Sequence, residues 1–393
     1  MKKSVQEDNI VYGLDFGSSS LKVAVCELLD IHDYEVLSTM TFPYMSAMIK
    51  KQFDKERIKH LVDRALNRID RELPATFPSK KAIVTLPTAE YKSDVITVET
   101  VLKNNIVKYE HKINLINKAK EISSCGAILH TIPLKYTLDG ESILDPVGLQ
   151  GDTLTMDVSV IGYDEYLLEQ FKSIFDDLSI KVGKYVAPPL SFINYYLNFV
   201  PNNHKSKDLL ILDFGAEVSH CYRIINSQLS AYYSQSLGNE IIARDIKVVL
   251  DTSMDTAKKL NEKYVNLCSG SGDEINVDGT SVKLSLLNEI VEARYDEILE
   301  HFERLIPLNK DNAVDMSFVL LGDGHPEGSS EYLEKRWGGK CQSIKPFITD
   351  SEFIMSIGNI QYALNNEIYI PQLTNKASRG IITRLFQRFE DLF

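Results

Sequence analysis

One turn occurs twice in this chain of 393 residues, and it limits the possible folds more than any other feature. An apolar run, Ile10 to Leu14, leads into Asp15, Phe16, Gly17, Ser18, Ser19, Ser20, Leu21 and Lys22. A second run, Leu209 to Leu212, leads into Asp213, Phe214, Gly215, Ala216, Glu217 and Val218, its aspartate 198 residues beyond the first. Each copy places a carboxylate and a glycine where a buried strand ends. Glycine then lets the next backbone N–H groups turn toward an anion. One such turn is ordinary hairpin chemistry. Two of them predict a pair of similar lobes that grip one nucleotide from opposite sides. A protein-kinase reading of Asp-Phe-Gly fails, because no His-Arg-Asp loop or Val-Ala-Ile-Lys strand accompanies it.

The length fits two or three domains at about 150 residues each. Apolar residues at 44% and charged residues at 25% are ordinary for an ordered globular chain. The net charge of −12 argues against sequence-independent binding of nucleic acid. The cysteines, at 26, 125, 221, 268 and 341, show neither a disulfide framework nor zinc spacing. Reduced thiols in a cytosolic protein are expected. Met1, Lys2 and Lys3 give way to Glu7 and Asp8 without the apolar core of a signal peptide. No run approaches the ~18 apolar residues of a spanning helix. A cytoplasmic location, unless something tethers the chain, is expected.

Hydrophobic periodicity predicts strands over 10–29 and 34–42, a helix over 52–73 and a buried strand from Ala82 to Leu86. Residues 88–162 break this alternation: strands over 94–101, 127–132, 134–138 and 153–161 surround a helix over 108–122, with a turn at Asp139-Gly140. A small α+β module inserted into the first lobe is expected there. Helices over 163–178 and after Pro188 flank a strand at 180–186. The second lobe opens at Asp208, with strands through Asp213, near 228–235 and at 317–321. Helices are expected at 238–250, 252–267, 284–305, 328–338 and 352–365, with a strand near 342–347. Residues 269–279 read as a loop rich in glycine, serine and acid.

Asp15 suits a magnesium ion held through water, since Mg²⁺ favours few carboxylates plus phosphate oxygens. Gly17 and Ser18 to Ser20 supply backbone and hydroxyl donors, and Lys22 is a mobile cation in reach of phosphate. Asp213 and Gly215 repeat the pattern, but Ala216 and Glu217 are poor phosphate donors. Gly322, Asp323 and Gly324 follow a buried strand, where glycines let a purine or ribose approach the backbone. Lys258, Lys259 and Glu262 flank that region or form a solvated face.

The last residues form an amphipathic pattern. Ile382, Leu385, Phe386, Phe389, Leu392 and Phe393 fall on one helical face, with Arg379, Arg384 and Arg388 elsewhere. Fifteen helical residues reach about 22 Å, too short for a bilayer core of roughly 30 Å. The alternatives are an in-plane membrane helix and a terminal helix docked on the core. One copy of the former would hold a membrane feebly, and many copies on a polymer strongly.

Together these features resemble FtsA, the bacterial actin-like cell-division family, over about residues 10–393. The most specific stretch is Leu-His-Thr-Ile-Pro-Leu-Lys-Tyr-Thr-Leu-Asp-Gly followed by Leu-Asp-Pro-Val-Gly-Leu-Gln-Gly, from Leu129 to Gly151. It resembles the family's inserted subdomain, which contributes to polymer contacts. The resemblance implies an α/β actin-like (actin/Hsp70/sugar kinase superfamily) two-lobed ATPase fold with that insertion. It places subdomain 1A at 9–87 and 163–207, 1C at 88–162, 2A at 208–236 and 316–370, and 2B at 237–315. A linker at 371–377 and a membrane helix at 378–393 follow. It assigns Asp15, Gly17, Ser18, Ser19 and Lys22 to the first phosphate loop, Asp213 and Gly215 to the second, and Gly322 and Gly324 to an adenosine loop, with Lys259 near the nucleoside. The implied cofactors are ATP and Mg²⁺, the metal held by Asp15 and Asp213. Family members carry a Gly-Gly-Gly-Thr-like run at Gly215–Val218 and three glycines where Asp323 interrupts, so at most weak ATPase activity is expected.

Implied partners are the C-terminal tail of FtsZ, other copies in a filament, other division proteins and anionic lipids. The stretch 287–300 resembles a helix in the family's subdomain that receives the FtsZ tail, and Arg294 and Arg304, on the 284–305 helix, are candidate contacts. The implied location is the cytoplasmic face of the inner membrane at the division site. Alternatives are a PilM-like adaptor for pilus assembly, a nucleotide-free pseudo-ATPase scaffold, and an enzyme of the sugar-kinase kind, for which no catalytic base stands out.

Overall fold

The computed structural model describes residues 9–17, 19–30, 33–44, 53–73, 80–87, 90–199, 208–225, 228–269, 272–305, 316–322, 324–337, 341–343, 351–366 and 368. The chain divides into two units, Met1–Phe199 with Glu352–Phe393, and Val200–Ser351.

The first unit is built on β1 (Ile10–Phe16), β2 (Ser20–Asp30), β3 (Asp33–Pro43), β4 (Lys80–Thr85) and β9 (Ile180–Tyr185), in the order β3-β2-β1-β4-β9. β1 runs antiparallel to β2 and parallel to β4. Every residue of β1 is buried, as a central strand covered on both faces requires. Helix α1 (Lys55–Asp70) begins where the Asp54 carboxylate accepts from Arg57 N, and turns Ile58, Leu61, Val62, Ala65, Leu66 and Ile69 inward.

Between β4 and β9 lie β5 (Tyr91–Val101), α2 (Tyr109–Ile122), β6 (Ala127–Leu138), β7 (Glu141–Ile143), β8 (Thr153–Tyr163) and α3 (Glu165–Asp177). Their strands form an antiparallel sheet in the order β5-β8-β6-β7. It has its own core, which includes Leu115, Ile116, Leu154, Met156 and Val158. The two strands expected at 127–132 and 134–138 are one, with a register shift between Pro133 and Lys135, because proline cannot supply its ladder N–H. Asp139 and Gly140 both take positive φ, which closes the β6–β7 hairpin in two residues.

Helix α4 (Pro188–Phe199) ends this stretch of the chain. The second unit repeats the first sheet with β10 (Asp208–Phe214), β11 (Ser219–Ile225), β12 (Gln228–Gln235), β15 (Met316–Leu321) and β16 (Cys341–Ser343), in the order β12-β11-β10-β15-β16. Inserted before β15 are α5 (Asn239–Val249), α6 (Met254–Tyr264), β13 (Glu274–Val277), β14 (Thr280–Lys283) and α7 (Leu284–Leu305), which share a core including Ile242, Ile246, Leu260, Leu287 and Val291. The expected loop at 269–279 is corrected in part. Ile275 and Val277 alternate with polar neighbours, and Asp278 and Gly279 at positive φ close a β13–β14 hairpin. Acid-rich composition hid that alternation. Helix α8 (Ser329–Arg336) follows β15.

Helix α9 (Ile354–Asn365) was expected to complete the second lobe. It packs instead in the first unit, against β1 and α4. From Ile354 to Leu364 only Met355 is not buried, and two glycines permit this fit. A Cβ on Gly13 of β1 would lie 1.9 Å from Ser356 O, and one on Gly358 would lie 2.1 Å from Ser191 O. The apolar period of α9 marks it as buried but names no partner, so sequence order alone assigned it to the wrong lobe. Among the described residues, no helix is long and apolar enough to cross a membrane.

Candidate functional site

The two repeated turns fold as hairpins in matching register. Asp15 stands opposite Lys22, and Asp213 opposite His220, the same offset in both units. Both turns close with the glycine N–H donating three residues ahead, Gly17 N to Ser20 O at 2.9 Å and Gly215 N to Val218 O at 3.1 Å. Backbone geometry is therefore conserved between the copies while the side chains differ.

In the first hairpin Asp15 is 6% exposed at the end of β1, Ser19 is exposed, and Gly17, Ser20 and Lys22 are half-buried. Tyr44 clamps the turn from the end of β3. Its hydroxyl donates to Gly17 O, and its N–H donates to Ser19 O at 2.9 Å. The turn thus combines a carboxylate, hydroxyls and a cation on a braced backbone. Ser18 lies outside the described residues.

In the second hairpin Tyr222 donates its hydroxyl to Asp213 Oδ2 at 3.2 Å. Burial, reinforced by the charge of Asp213, pushes the Tyr222 phenol well above its usual range, so it stays a donor. His220, in the register position of Lys22, is buried. Its Nδ1 lies 3.3 Å from the Tyr232 hydroxyl, and its Nε2 has no hydrogen-bond partner among the described residues. Burial lowers its pKa to about 4, so the ring is neutral at pH 7. The mobile cation of the first hairpin is replaced here by an uncharged, enclosed ring. The loop carbonyls are committed as well. Asn239 N donates to Gly215 O at 3.0 Å and Glu240 N to Ala216 O at 2.7 Å, which satisfies two of the open N–H groups at the start of α5. Gly238 makes this possible, since a Cβ there would lie 2.6 Å from Gly215 O.

The glycine loop after β15 meets the second hairpin directly. Gly324 N donates to Phe214 O at 3.0 Å. Gly322 has φ +82°, and a Cβ on it would lie 2.4 Å from Phe214 O. Asp323 lies outside the described residues. Lys259, on α6, forms an exposed ion pair with Asp278 of the β13–β14 turn at 2.7 Å. Arg294, on α7, grips Asp245 through Nε at 2.6 Å and Nη2 at 3.2 Å, and also meets Glu297. Neither basic group is held in the hairpins. The Arg304 side chain lies outside the description, as do the linker at 371–377 and the tail residues Ile382, Arg384, Leu385, Phe386, Arg388, Phe389, Leu392 and Phe393.

Sequence reading missed Tyr44, His220 and Tyr222. For the last two a signal existed: carried along the strands, the 198-residue repeat aligns Lys22 with His220 and Ala24 with Tyr222. Tyr44 carries no motif, and its contact depends on where β3 ends.

Comparison with known proteins supports the FtsA resemblance. Residues 89–162 match a family model described as the SHS2 domain inserted in FtsA. Over 380 residues the chain is 22% identical to cell division protein FtsA of Bacillus subtilis, covering 92% of this chain and 85% of the relative. It is 23% identical to FtsA of Enterococcus faecalis over 75% of this chain and 69% of that one. Among solved structures, the PilM–PilN type IV pilus biogenesis complex shares the fold with a TM-score of 0.62, at 13% identity, over 91% of this chain and 99% of that chain. The fold is that of the actin-like ATPases, with an SHS2 domain inserted in its first unit.

Proposed function

Taking the FtsA resemblance as the starting point, we propose that this chain is an actin-like cell-division protein that binds ATP with Mg²⁺, forms filaments and tethers FtsZ to the cytoplasmic face of the inner membrane. The observation that carries the reading is the pair of register-matched hairpins, each ending a buried strand in a carboxylate. These groups fit a magnesium nucleotide. Gly17, Ser18, Ser19, Ser20 and Lys22 offer donors and a cation to phosphate, and Asp15 and Asp213 offer carboxylates to hydrated Mg²⁺. Gly322 and Gly324 let the loop after β15 pack against Phe214 O, next to Asp213, and that loop is assigned to the nucleoside. When bound, the ion would neutralise phosphate charge.

The residues favour holding nucleotide over turning it over. His220 is walled in, and the Gly215 and Ala216 carbonyls are already bonded to α5. ATP then acts chiefly as a ligand that selects one conformation. Calorimetry on a chain ending at Asn375 tests this: micromolar, Mg²⁺-dependent ATP binding that Asp15→Ala weakens is expected, and absence of binding refutes it. Membrane attachment is assigned to the amphipathic tail at 378–393 through the apolar face and Arg384 and Arg388, with anionic lipid as partner. Equal pelleting with liposomes by the full chain and the chain ending at Asn375 would sink that role. The FtsZ tail is the proposed partner of the 237–315 region. Arg294 would have to leave Asp245 to serve it, so Arg294→Ala tests the contact.

A PilM-like pilus adaptor is the second reading, favoured by the extent of the structural match to the PilM–PilN complex. Co-purification with an N-terminal peptide of a pilus membrane protein, and none with FtsZ, would replace the first reading with this one.

A further inference from the structure

Beneath each hairpin, one carbonyl in the same strand position is held by a buried side chain. In the first unit Asn359 Nδ2, from α9, donates to Leu14 O at 3.0 Å. In the second unit His325 Nε2, from the loop after β15, lies 3.1 Å from Leu212 O. Leu14 directly precedes Asp15, and Leu212 directly precedes Asp213. The acceptors are 198 residues apart, like the aspartates, yet the donors are different residue types from unrelated parts of the chain. A feature reached by two routes at equivalent positions points to a requirement of the hairpin, beyond chance packing.

Each donor is itself fixed. Asn359 Oδ1 accepts from Thr85 Oγ1 at 3.0 Å and from Ser191 Oγ at 2.6 Å. Thr85, Ser191 and Asn359 are all fully buried. Leu14 O can only accept, so the amide turns its NH₂ toward Leu14 and leaves Oδ1 to the two hydroxyls. In the second unit a carbonyl can only accept, so His325 Nε2 must carry the hydrogen. Nδ1, 3.1 Å from the Tyr295 hydroxyl, then accepts from it. Phe214 packs against the His325 ring, tilted by 43° with centroids 4.4 Å apart. Burial lowers the His325 pKa to about 4 and keeps this single neutral tautomer.

We infer that Asn359 and His325 are positioning residues: each pins the carbonyl next to a hairpin aspartate and so fixes where Asp15 and Asp213 present their carboxylates to a magnesium nucleotide. The inference rests on the nucleotide reading above for its ligand, but not for its geometry. His325 does a second job, since the same loop carries Gly322 and Gly324. Its bond to Leu212 therefore joins the glycine loop to the second hairpin. Neither residue is proposed to touch nucleotide.

The test uses the full chain and two readouts. Hydrogen–deuterium exchange without nucleotide follows peptides over 10–22 and 209–220, and calorimetry follows Mg²⁺-ATP. His325→Phe keeps an aromatic ring on Phe214 but removes the donor, and His325→Gln restores a donor at a similar reach. In the first unit a combined Thr85→Val, Ser191→Ala, Asn359→Leu variant removes the polar network as a set, which spares the fold an unpaired hydroxyl. Exchange is expected to quicken about fivefold to tenfold in the hairpin beside the change and not in the other, consistent with loss of one buried hydrogen bond. The ATP Kd should rise by a similar factor, and His325→Gln should recover both. Unchanged hairpin exchange, or equal acceleration throughout the unit, overturns the inference. Should the native chain bind no ATP while exchange stays local, the nucleotide reading falls and the positioning role stands.

Discussion

The first and second hairpins share a backbone and differ in chemistry. The first has Ser19, Ser20 and Lys22 around Asp15, braced by Tyr44. The second has Ala216, Glu217 and a buried His220 around Asp213, braced by Tyr222 and by the start of α5. Register and closing hydrogen bonds are the same in both. The difference teaches that strand pairing preserves a hairpin's shape without preserving its charge. One hairpin sets hydroxyls and a cation beside its carboxylate, and the other sets an acid and a buried neutral ring beside its own.

The largest expected effect breaks the comparison at the level of folding. Gly13→Ala puts a Cβ 1.9 Å from Ser356 O and should destabilise by about 3 kcal/mol or abolish folding. Gly322→Ala in the second unit, against Phe214 O at 2.4 Å with φ +82°, should cost about 2 kcal/mol. Urea midpoints decide both, and equal, small losses would mean that α9 tolerates displacement.

Binding is next. Lys22→Ala is expected to weaken Mg²⁺-ATP affinity about tenfold, roughly 1.4 kcal/mol, and His220→Ala by much less. Equal effects in a calorimetric titration would erase the division of labour between the lobes.

Acid sensitivity sharpens the contrast. Burial, with a smaller contribution from Lys184, lowers His130 of the first unit to about 3, and burial lowers His220 of the second to about 4, against an ordinary 6.5. Both are neutral in both states above pH 6.5. Below it only the unfolded chain takes up the proton, so stability falls with pH until the folded value is reached. The slope is at most about 1.4 kcal/mol per pH unit for each ring. His220→Gln should flatten the fall of the urea midpoint between pH 6.5 and 4, and an unaltered slope would mean that carboxylates control it.

A smaller effect is expected from Tyr222→Phe, which removes one hydrogen bond to Asp213 and should cost about 1 kcal/mol in urea unfolding. Smallest of all is Lys259→Ala. Its exposed pair with Asp278 is screened by water, so no measurable change in melting temperature is expected. A clear loss of ATP affinity in that variant would show that Lys259 leaves Asp278 for the nucleoside.

Much of this architecture was legible in the sequence because it follows local rules. Repeated Asp-Phe-Gly turns, alternation in β5 and β8, and positive-φ residues such as Asp139-Gly140 identify hairpins without reference to distant residues. What was not legible depends on long-range choice. Nothing local says that α9 belongs with β1, or that an asparagine 345 residues away would hold Leu14 O. The Lys259–Asp278 and Arg294–Asp245 pairs are of the same kind. A basic residue on a helix face reads alike whether it faces solvent, a ligand or an acid on a neighbouring element.

The placement of α9 also bears on how the protein is made. The second unit is spliced into the first, whose final helix comes after it in the chain. During synthesis the second unit has all of its residues while the first still lacks the helix that covers β1. The first sheet therefore waits, with one face of its central strand uncovered, until residue 365 has left the ribosome. The hairpin of Asp15 is the first to be translated and the last to gain its support.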